Sequence, residues 1–429
     1  MAVEISAAFP LYTEYHPAVP VYWVTRGLAG CFHRFFDTSP ISPSGRYLAL
    51  TQMPFEDRVP GPEDVATIVL IDLADGSSRA IAESRGWDTQ LGAQVQWGPT
   101  DEMLLYNDMD VTEWRPFGVC MNPLTGTSVE LGGTVYMVSP DGSQAASPCL
   151  LRTGLTQAGY GVLAPPEHVP LNRGAPDDDG IFVTDVATGQ GRLLLSLAEI
   201  VDAIIPDNQR RVYRDGDFYG FHVKWNLQGT RLMFVVRWKP HDAAQRMRIM
   251  LVTCRADGTD IHAAISDADW SRGGHHPNWC PDGENVMMNL KVAEDGLRFV
   301  TARYDGTGLT AMHPDIPGSG HPALRPDGRF IVTDVYQHGA LAYGDGTTPI
   351  RWVDLQEGNA RDIVRMSSLP AFSGTKKVMR VDPHPAWDFA FERVAFNGCI
   401  DGRRHVFVAD VRSLLPHLVS PQVVAPGGE

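Results

Sequence analysis

From about residue 36 onward, short apolar stretches recur between turn signals in units of roughly 45 to 60 residues, a period that marks a repeat architecture. Each unit pairs an aromatic-Pro-Asp-Gly hairpin signal with a later alternating strand and a second Asp-Gly or Thr-Gly turn. Thr67-Ile-Val-Leu-Ile-Asp-Leu73 ahead of Asp75-Gly76 is one such strand, and Leu232-Met-Phe-Val-Val236 with Arg248-Ile-Met-Leu-Val252 and Asp257-Gly258 is a second set. Seven units can be counted, at approximately 36–85, 86–133, 134–200, 215–270, 271–317, 318–370 and 380–416. This predicts an all-β protein, a seven-bladed β-propeller of four-stranded antiparallel blades forming one domain. The last unit lacks an obvious fourth strand, so the N-terminal segment 19–24 is expected to close the ring and protect the edges left open there. Two stretches break the pattern: a Pro/Gly-rich insertion over roughly 151–179, and 193–205, whose spacing is helical and which is expected on a face of the disc.

Composition narrows the class. At 429 residues with 43% hydrophobic and 20% charged residues the chain is an ordinary globular protein, and its 42 Gly and 32 Pro agree with many turns between short strands. A formal net charge of −15 without clustered Lys and Arg argues against non-specific nucleic-acid binding. No apolar run approaches a membrane span, and Met1 to Tyr15 lacks a basic region followed by an apolar one, so a cytoplasmic protein with no membrane partner is expected. The six cysteines stand singly, which suits reduced, buried thiols.

The units also share a histidine. In His276-Pro-Asn-Trp279-Cys-Pro281-Asp-Gly283 it stands three residues before a large apolar residue and seven before a turn glycine. His321-Pro-Ala-Leu324-Arg-Pro326-Asp-Gly328 repeats every interval, His222-Val-Lys-Trp225-Asn-Leu-Gln-Gly229 repeats them without the prolines, and His384-Pro-Ala-Trp387 repeats the first half. Trp97, Trp225, Trp279 and Trp387 are expected to wedge between blades. The innermost strands line the axis, so the positions facing the channel read Thr38, Gln94, Val135, His222, His276, His321 and His384. Neutral imidazoles converging from separate rigid elements, with an amide, form a common divalent-metal site. A histidine before proline can equally finish a loop and bond a neighbouring blade, and a shared site is argued only from the four in matched register.

These residues carry a resemblance. The His276 to Gly283 stretch is similar to the TolB-type propeller repeat. With His384-Pro-Ala-Trp387, Asp401-Gly-Arg-Arg-His-Val-Phe-Val-Ala-Asp410, Gln94-Val-Gln-Trp97, Gly159-Tyr160-Gly161, Gly320-His321 and Asp334-Val-Tyr336, the whole chain resembles the oligogalacturonate lyase-like branch of that family. The resemblance implies a lyase that cleaves small uronic-acid-containing oligosaccharides by β-elimination. It also implies a divalent metal, typically Mn²⁺ with Zn²⁺ or Ca²⁺ as alternatives, held by three histidines and a glutamine. Carried over residue by residue, the metal falls on His276, His321 and His384, with His222 or Gln94 completing it; Gln94, His275 and Tyr336 are placed toward the substrate. The family's second histidine close after one ligand has no obvious counterpart in this chain.

β-Elimination needs the uronate carboxylate neutralised, a base for the C5 proton and help for the leaving oxygen. Arg237, ending the apolar strand Val235-Val-Arg-Trp238, is the expected carboxylate partner, because a buried guanidinium is costly without an anion. His222 and Tyr160 are the candidate bases, Tyr160 lying between glycines that permit close approach to a ligand. His275 faces away from His276 and is a rim or structural residue. A non-catalytic propeller that binds protein or carbohydrate, and a glycoside hydrolase or epimerase on the same scaffold, remain alternatives.

Overall fold

A computed structural model describes residues 3–294 and 296–415. Seven four-stranded antiparallel sheets stand in a ring. From the axis outward, the first six blades open with Cys31–Phe32, Gln96–Trp97, Met137–Val138, Gly216–Trp225, Gly274–Trp279 and Ala323–Leu324. Each then adds its next three strands in chain order. The seventh runs Ala386–Trp387, Arg393–Ile400, Arg403–Asp410, and its outer strand is the N-terminal Val21–Trp23, which pairs antiparallel with Val21 opposite Ala409 and Trp23 opposite Phe407. First and last parts of the chain thus share one sheet.

The middle strands are buried on both faces and read as apolar runs: Leu232 to Val236 and Val406 to Ala409 are all 1% exposed or less. The repeated tryptophans wedge between blades as expected, each 6% exposed or less. Three of them also tie blades together through the indole N–H. Trp97 donates to Pro40 O at 2.8 Å, Trp279 to Lys224 O at 3.0 Å and Trp387 to Ala323 O at 3.0 Å, each across one blade boundary. Bonds of this kind contribute about 1 kcal/mol apiece beyond the burial of the ring.

Two elements differ from the sequence expectation. Residues 193–205 are not all helical: Gly191–Ser196 finishes the third blade, and the helix is Leu197–Ile204. Ser196 divides them, since its side chain accepts from Glu199 N while Glu199 returns to Ser196 N, a capping box that can only sit at a helix start. The first blade opens at Cys31, ahead of residue 36, and residues 33–40 leave the strand to enter the axis. All six cysteines are free, and burial pushes the thiols of Cys31, Cys254, Cys280 and Cys399 up to about 12. No helix among the described residues is long and apolar enough to cross a membrane.

Candidate metal centre in the propeller channel

The backbone turns sharply where the axial side chains begin. Gln94, His276 and His384 are in the left-handed region, with φ of 59°, 57° and 50°, and in the sixth blade Gly320 takes that conformation just before His321. Left-handed residues other than glycine are strained by about 1 kcal/mol or more and persist only where their surroundings hold them. Glycine is required at 320: a Cβ there would lie 2.0 Å from Asp334 Oδ1.

The channel is not open. Phe35 and Phe36, from the segment after the first inner strand, fill it. The Phe35 ring stacks on His222 at 5.1 Å and meets His384 at 4.7 Å, His321 at 5.5 Å and His276 at 6.0 Å. Beneath this plug the Asp37 carboxylate, with no side-chain exposure, lies between Arg34 at 2.6 Å and Lys224 at 2.9 Å. Burial works against its charge, but the two cations outweigh it and hold the carboxyl below the usual range. Arg34 also donates to Gln94 Oε1 at 2.8 Å, to Thr38 Oγ1 and to Tyr136 O, so the Gln94 oxygen that would face a metal is already engaged.

Above the plug three side chains converge. The ligand atoms of His321, Asp382 and His384 all lie within 4.8 Å of one another, and all three residues are buried. His321 Nδ1 donates to the Asp334 carboxylate at 2.9 Å, which fixes the ring and leaves Nε2 as the lone-pair atom; Nε2 is buried with no hydrogen-bond partner. Asp334 accepts from the backbone N of His321 and of His384 as well, so one carboxylate fixes the His321 ring and anchors the backbone that carries His384. Burial opposes the charge on Asp334, yet these bonds and His321 keep its pKa below the usual range. Neither ring nitrogen of His384 has a partner. Two imidazoles with unpaired, buried nitrogens, beside the Asp382 carboxylate, fit a divalent cation such as Mn²⁺, Fe²⁺ or Zn²⁺. Without one, burying these groups would be a net cost.

The other expected site residues surround this group. The His276 ring packs 3.7 Å from that of His321, centroid to centroid, but its Nδ1 donates to Gly320 O at 2.6 Å and its Nε2 faces the Tyr336 hydroxyl at 3.1 Å. With the ring proton of His276 on Nδ1, the phenol is the donor and Nε2 the acceptor. His275, expected to face away from His276, instead meets it: their Nδ1 atoms lie 2.9 Å apart, and the half-buried His275 Nδ1 also accepts from Asn289 Nδ2 at 3.3 Å. His222 lies apart from the triad, hydrogen-bonded to the Tyr136 hydroxyl and stacked on Phe35.

The insertion forms a roof. Tyr160 is held between Gly159 (φ 89°) and Gly161 (φ 97°) and touches Phe221 at 5.3 Å and His222 at 6.1 Å. Its hydroxyl accepts from Arg380 Nη2 at 3.3 Å, and Arg380 Nε donates to Asp382 at 2.8 Å. Arg237 donates to Thr156 O and Gln157 Oε1, both at 3.0 Å, and Lys239 to Leu155 O. Asp88 accepts from Gly161 N at 2.9 Å and from the N–H groups of Gln90 and Leu91.

Sequence reading did not single out Asp382, Arg380 or the Phe35-Phe36 plug, and gave Asp334 no role. Asp382 had a legible signal. In extended backbone, residues two apart share a face, so Asp382-Pro383-His384 presents carboxylate and imidazole together. Arg34, Phe35 and Phe36 carry no such signal, because nothing local says that the chain leaves a strand to cross an axis.

At the level of sequence, no family model and no curated protein matches this chain. Comparison of folds is more informative. Oligogalacturonate lyase in complex with manganese aligns over 97% of this chain and 97% of its own, at a TM-score of 0.62 and 16% identity. The oligogalacturonate lyase of Vibrio parahaemolyticus aligns over 95% and 97%, at 0.61 and 13% identity. This chain has the oligogalacturonate lyase fold. A puromycin-hydrolysing peptidase of Mycobacterium tuberculosis is also similar, at a TM-score of 0.53 and 13% identity, but there the match spans 96% of this chain and only 55% of the peptidase. The oligogalacturonate lyase fold accounts for nearly the full length of both partners, and at these identities it is the fold alone that is shared.

Proposed function

We propose that the protein is a metal-dependent lyase that cleaves uronic-acid-containing oligosaccharides by β-elimination. The observation that carries this reading is the buried His321, Asp382 and His384 group with Asp334 behind it, placed under the Tyr160 roof and beside Arg380. Full-length likeness to a lyase described in complex with manganese supports both the metal and the substrate class.

His321, Asp382 and His384 would hold the ion, which supplies Lewis acidity to a bound carboxylate. Arg380 stands at the same place and is partly exposed, so it can pair with that carboxylate and make the C5 proton acidic. His276 is the base: its Nδ1–H is fixed by Gly320 O, and the Nε2 lone pair that now meets Tyr336 takes the C5 proton once the sugar displaces that hydroxyl. Tyr336, whose hydroxyl donates to that nitrogen, then donates to the departing oxygen. His222 and Gln94, engaged with Tyr136 and Arg34, shape the floor.

The test has two readouts. Protein supplied with Mn²⁺ is incubated with pectic, ulvan-type and rhamnose-glucuronate oligosaccharides, and the unsaturated product is followed by its ultraviolet absorbance. Bound metal is counted in parallel. The expected result is one ion per chain and unsaturated product from one class, with both lost in His321→Ala/His384→Ala. Absence of bound metal, or of a new double bond across all three classes, overturns the proposal.

A further inference from the structure

Asn107, Asn289 and Asn397 hold the same place in three blades, each on the strand next to the innermost one, with the side chain reaching into the following blade. All are 3% exposed or less. The first and last clamp a single residue from both sides. Asn107 accepts from Val135 N and donates to Val135 O, both at 2.7 Å, and Asn397 accepts from His33 N at 3.0 Å and donates to His33 O at 3.4 Å. A clamp of this form uses both halves of the amide and serves the ring of blades.

Asn289 is arranged differently. His321 holds the register of Val135, but its N–H goes to Asp334 Oδ1 at 2.7 Å, and the buried Asn289 Oδ1 has no partner among the described residues. Its Nδ2 instead has three acceptors: Gly320 O at 2.8 Å, Ser319 O at 3.2 Å and His275 Nδ1 at 3.3 Å. Two carbonyl oxygens beside one atom identify it as the nitrogen, so the amide cannot be turned to satisfy Oδ1. An amide that leaves its acceptor unpaired is explained by what its donors hold.

They hold the proton pattern of the histidine pair. A carbonyl oxygen only accepts, so the 2.6 Å contact between His276 Nδ1 and Gly320 O places the ring proton on Nδ1 and the lone pair on Nε2. Gly320, at φ 48°, has no side chain to anchor it, and Asn289 anchors its carbonyl. His275 Nδ1, 2.9 Å from His276 Nδ1, would reverse the pattern if it donated. The Asn289 N–H meets His275 Nδ1 and makes it an acceptor, with the His275 proton on Nε2.

We infer that Asn289 is a positioning residue: through Gly320 O and His275 Nδ1 it keeps His276 in the Nδ1–H form, with Nε2 open to take a proton from the substrate. The use of that lone pair rests on the lyase reading, whereas the placement of the two protons does not.

The test locates the protons. Long-range ¹H–¹⁵N spectra of protein labelled at histidine, with the pair assigned through His275→Gln and His276→Gln, are expected to show His276 in the Nδ1–H form and His275 in the Nε2–H form. Asn289→Leu keeps the volume and removes the donors. It is expected to move the His276 ring nitrogens toward a mixture of forms and to lower turnover by about 10- to 100-fold at unchanged KM. Asn107→Leu removes the matching clamp from the second blade and should leave the histidine pattern and turnover as in the parent. A parent protein with His276 in the Nε2–H form overturns the inference, whether or not any variant folds. An unchanged His276 pattern in Asn289→Leu overturns it too, as does an equal shift in Asn107→Leu. If the pattern shifts in Asn289→Leu and turnover does not, His276 is not the base and the positioning role falls with it. If the pattern is as expected and no oligosaccharide yields unsaturated product, the lyase reading alone falls.

Discussion

The two ends of the plugged channel are written by the same short repeat and behave in opposite ways. The histidine of each repeat stands three positions before its tryptophan or, in one repeat, leucine, yet the tryptophan end is largely satisfied and the histidine end is not. Trp97, Trp279 and Trp387 each bond a neighbouring blade, and the cavity of about 440 Å³ they border, with Phe36, Pro99 and Pro281, is apolar. At the histidine end, His33, His321, His384, Asn289 and Gln337 all keep buried atoms without partners, and two of the axial residues are strained histidines. One end adds stability to the ring. The other holds groups that folding alone does not reward, which is what a ligand site requires.

Substitutions at the two ends should therefore separate stability from binding. The largest effect is expected at the satisfied end: Trp279→Ala removes a nearly fully buried indole and its bond to Lys224 O, and should destabilise the fold by about 3–5 kcal/mol. Denaturant unfolding would measure it, and the folded variant should still bind one metal ion. Loss of metal at full folding would break the division between the ends. At the other end, Asp334→Asn keeps the shape but removes the charge that fixes the His321 ring and anchors the backbone of His384. Metal affinity should fall by roughly 10- to 100-fold with little change in unfolding free energy. Metal competition titration reads this, and a variant that unfolds more easily while binding metal normally would make Asp334 a structural residue.

How much of this could be read in advance follows from how local each signal is. Blade number, strand order and the tryptophan wedges depend on turn chemistry and alternation within a few residues, and these are visible in the chain. The four histidines were legible as a set because they share a register, but register alone does not say what occupies the axis. Phe35 does, and it comes from outside the repeat, so His222 packs on a phenyl ring on one side while His321 and His384 face Asp382 on another. The expected helix start at Leu193 falls in the strand for a simpler reason: the run Leu193–Leu195 continues into the apolar helix after it, and only the Ser196 and Glu199 pair marks the boundary.

The smallest effect concerns the roof and distinguishes the ends by pH. Asp88 is buried beneath Gly161, and burial, against three N–H bonds, raises its pKa to about 7. The folded form therefore holds a proton that the unfolded form, near the ordinary carboxylate value, has lost. Its contribution to stability is complete below the unfolded pKa and disappears as pH rises through about 7. Between pH 6 and pH 8 that amounts to about 1.4 kcal/mol of stability lost on going up. The buried imidazoles of His33, His222 and His384 act in the opposite sense, because burial keeps them neutral in the fold while the unfolded chain protonates near 6.5. Asp88→Asn separates the two. It weakens the bond to Gly161 at every pH, but it removes only the Asp88 slope, so its stability should rise relative to the parent protein between pH 6 and pH 8. Unfolding curves at those two values decide it: parallel behaviour of parent and variant would mean that Asp88 is ionised throughout and that the roof is no more sensitive to pH than the tryptophan end.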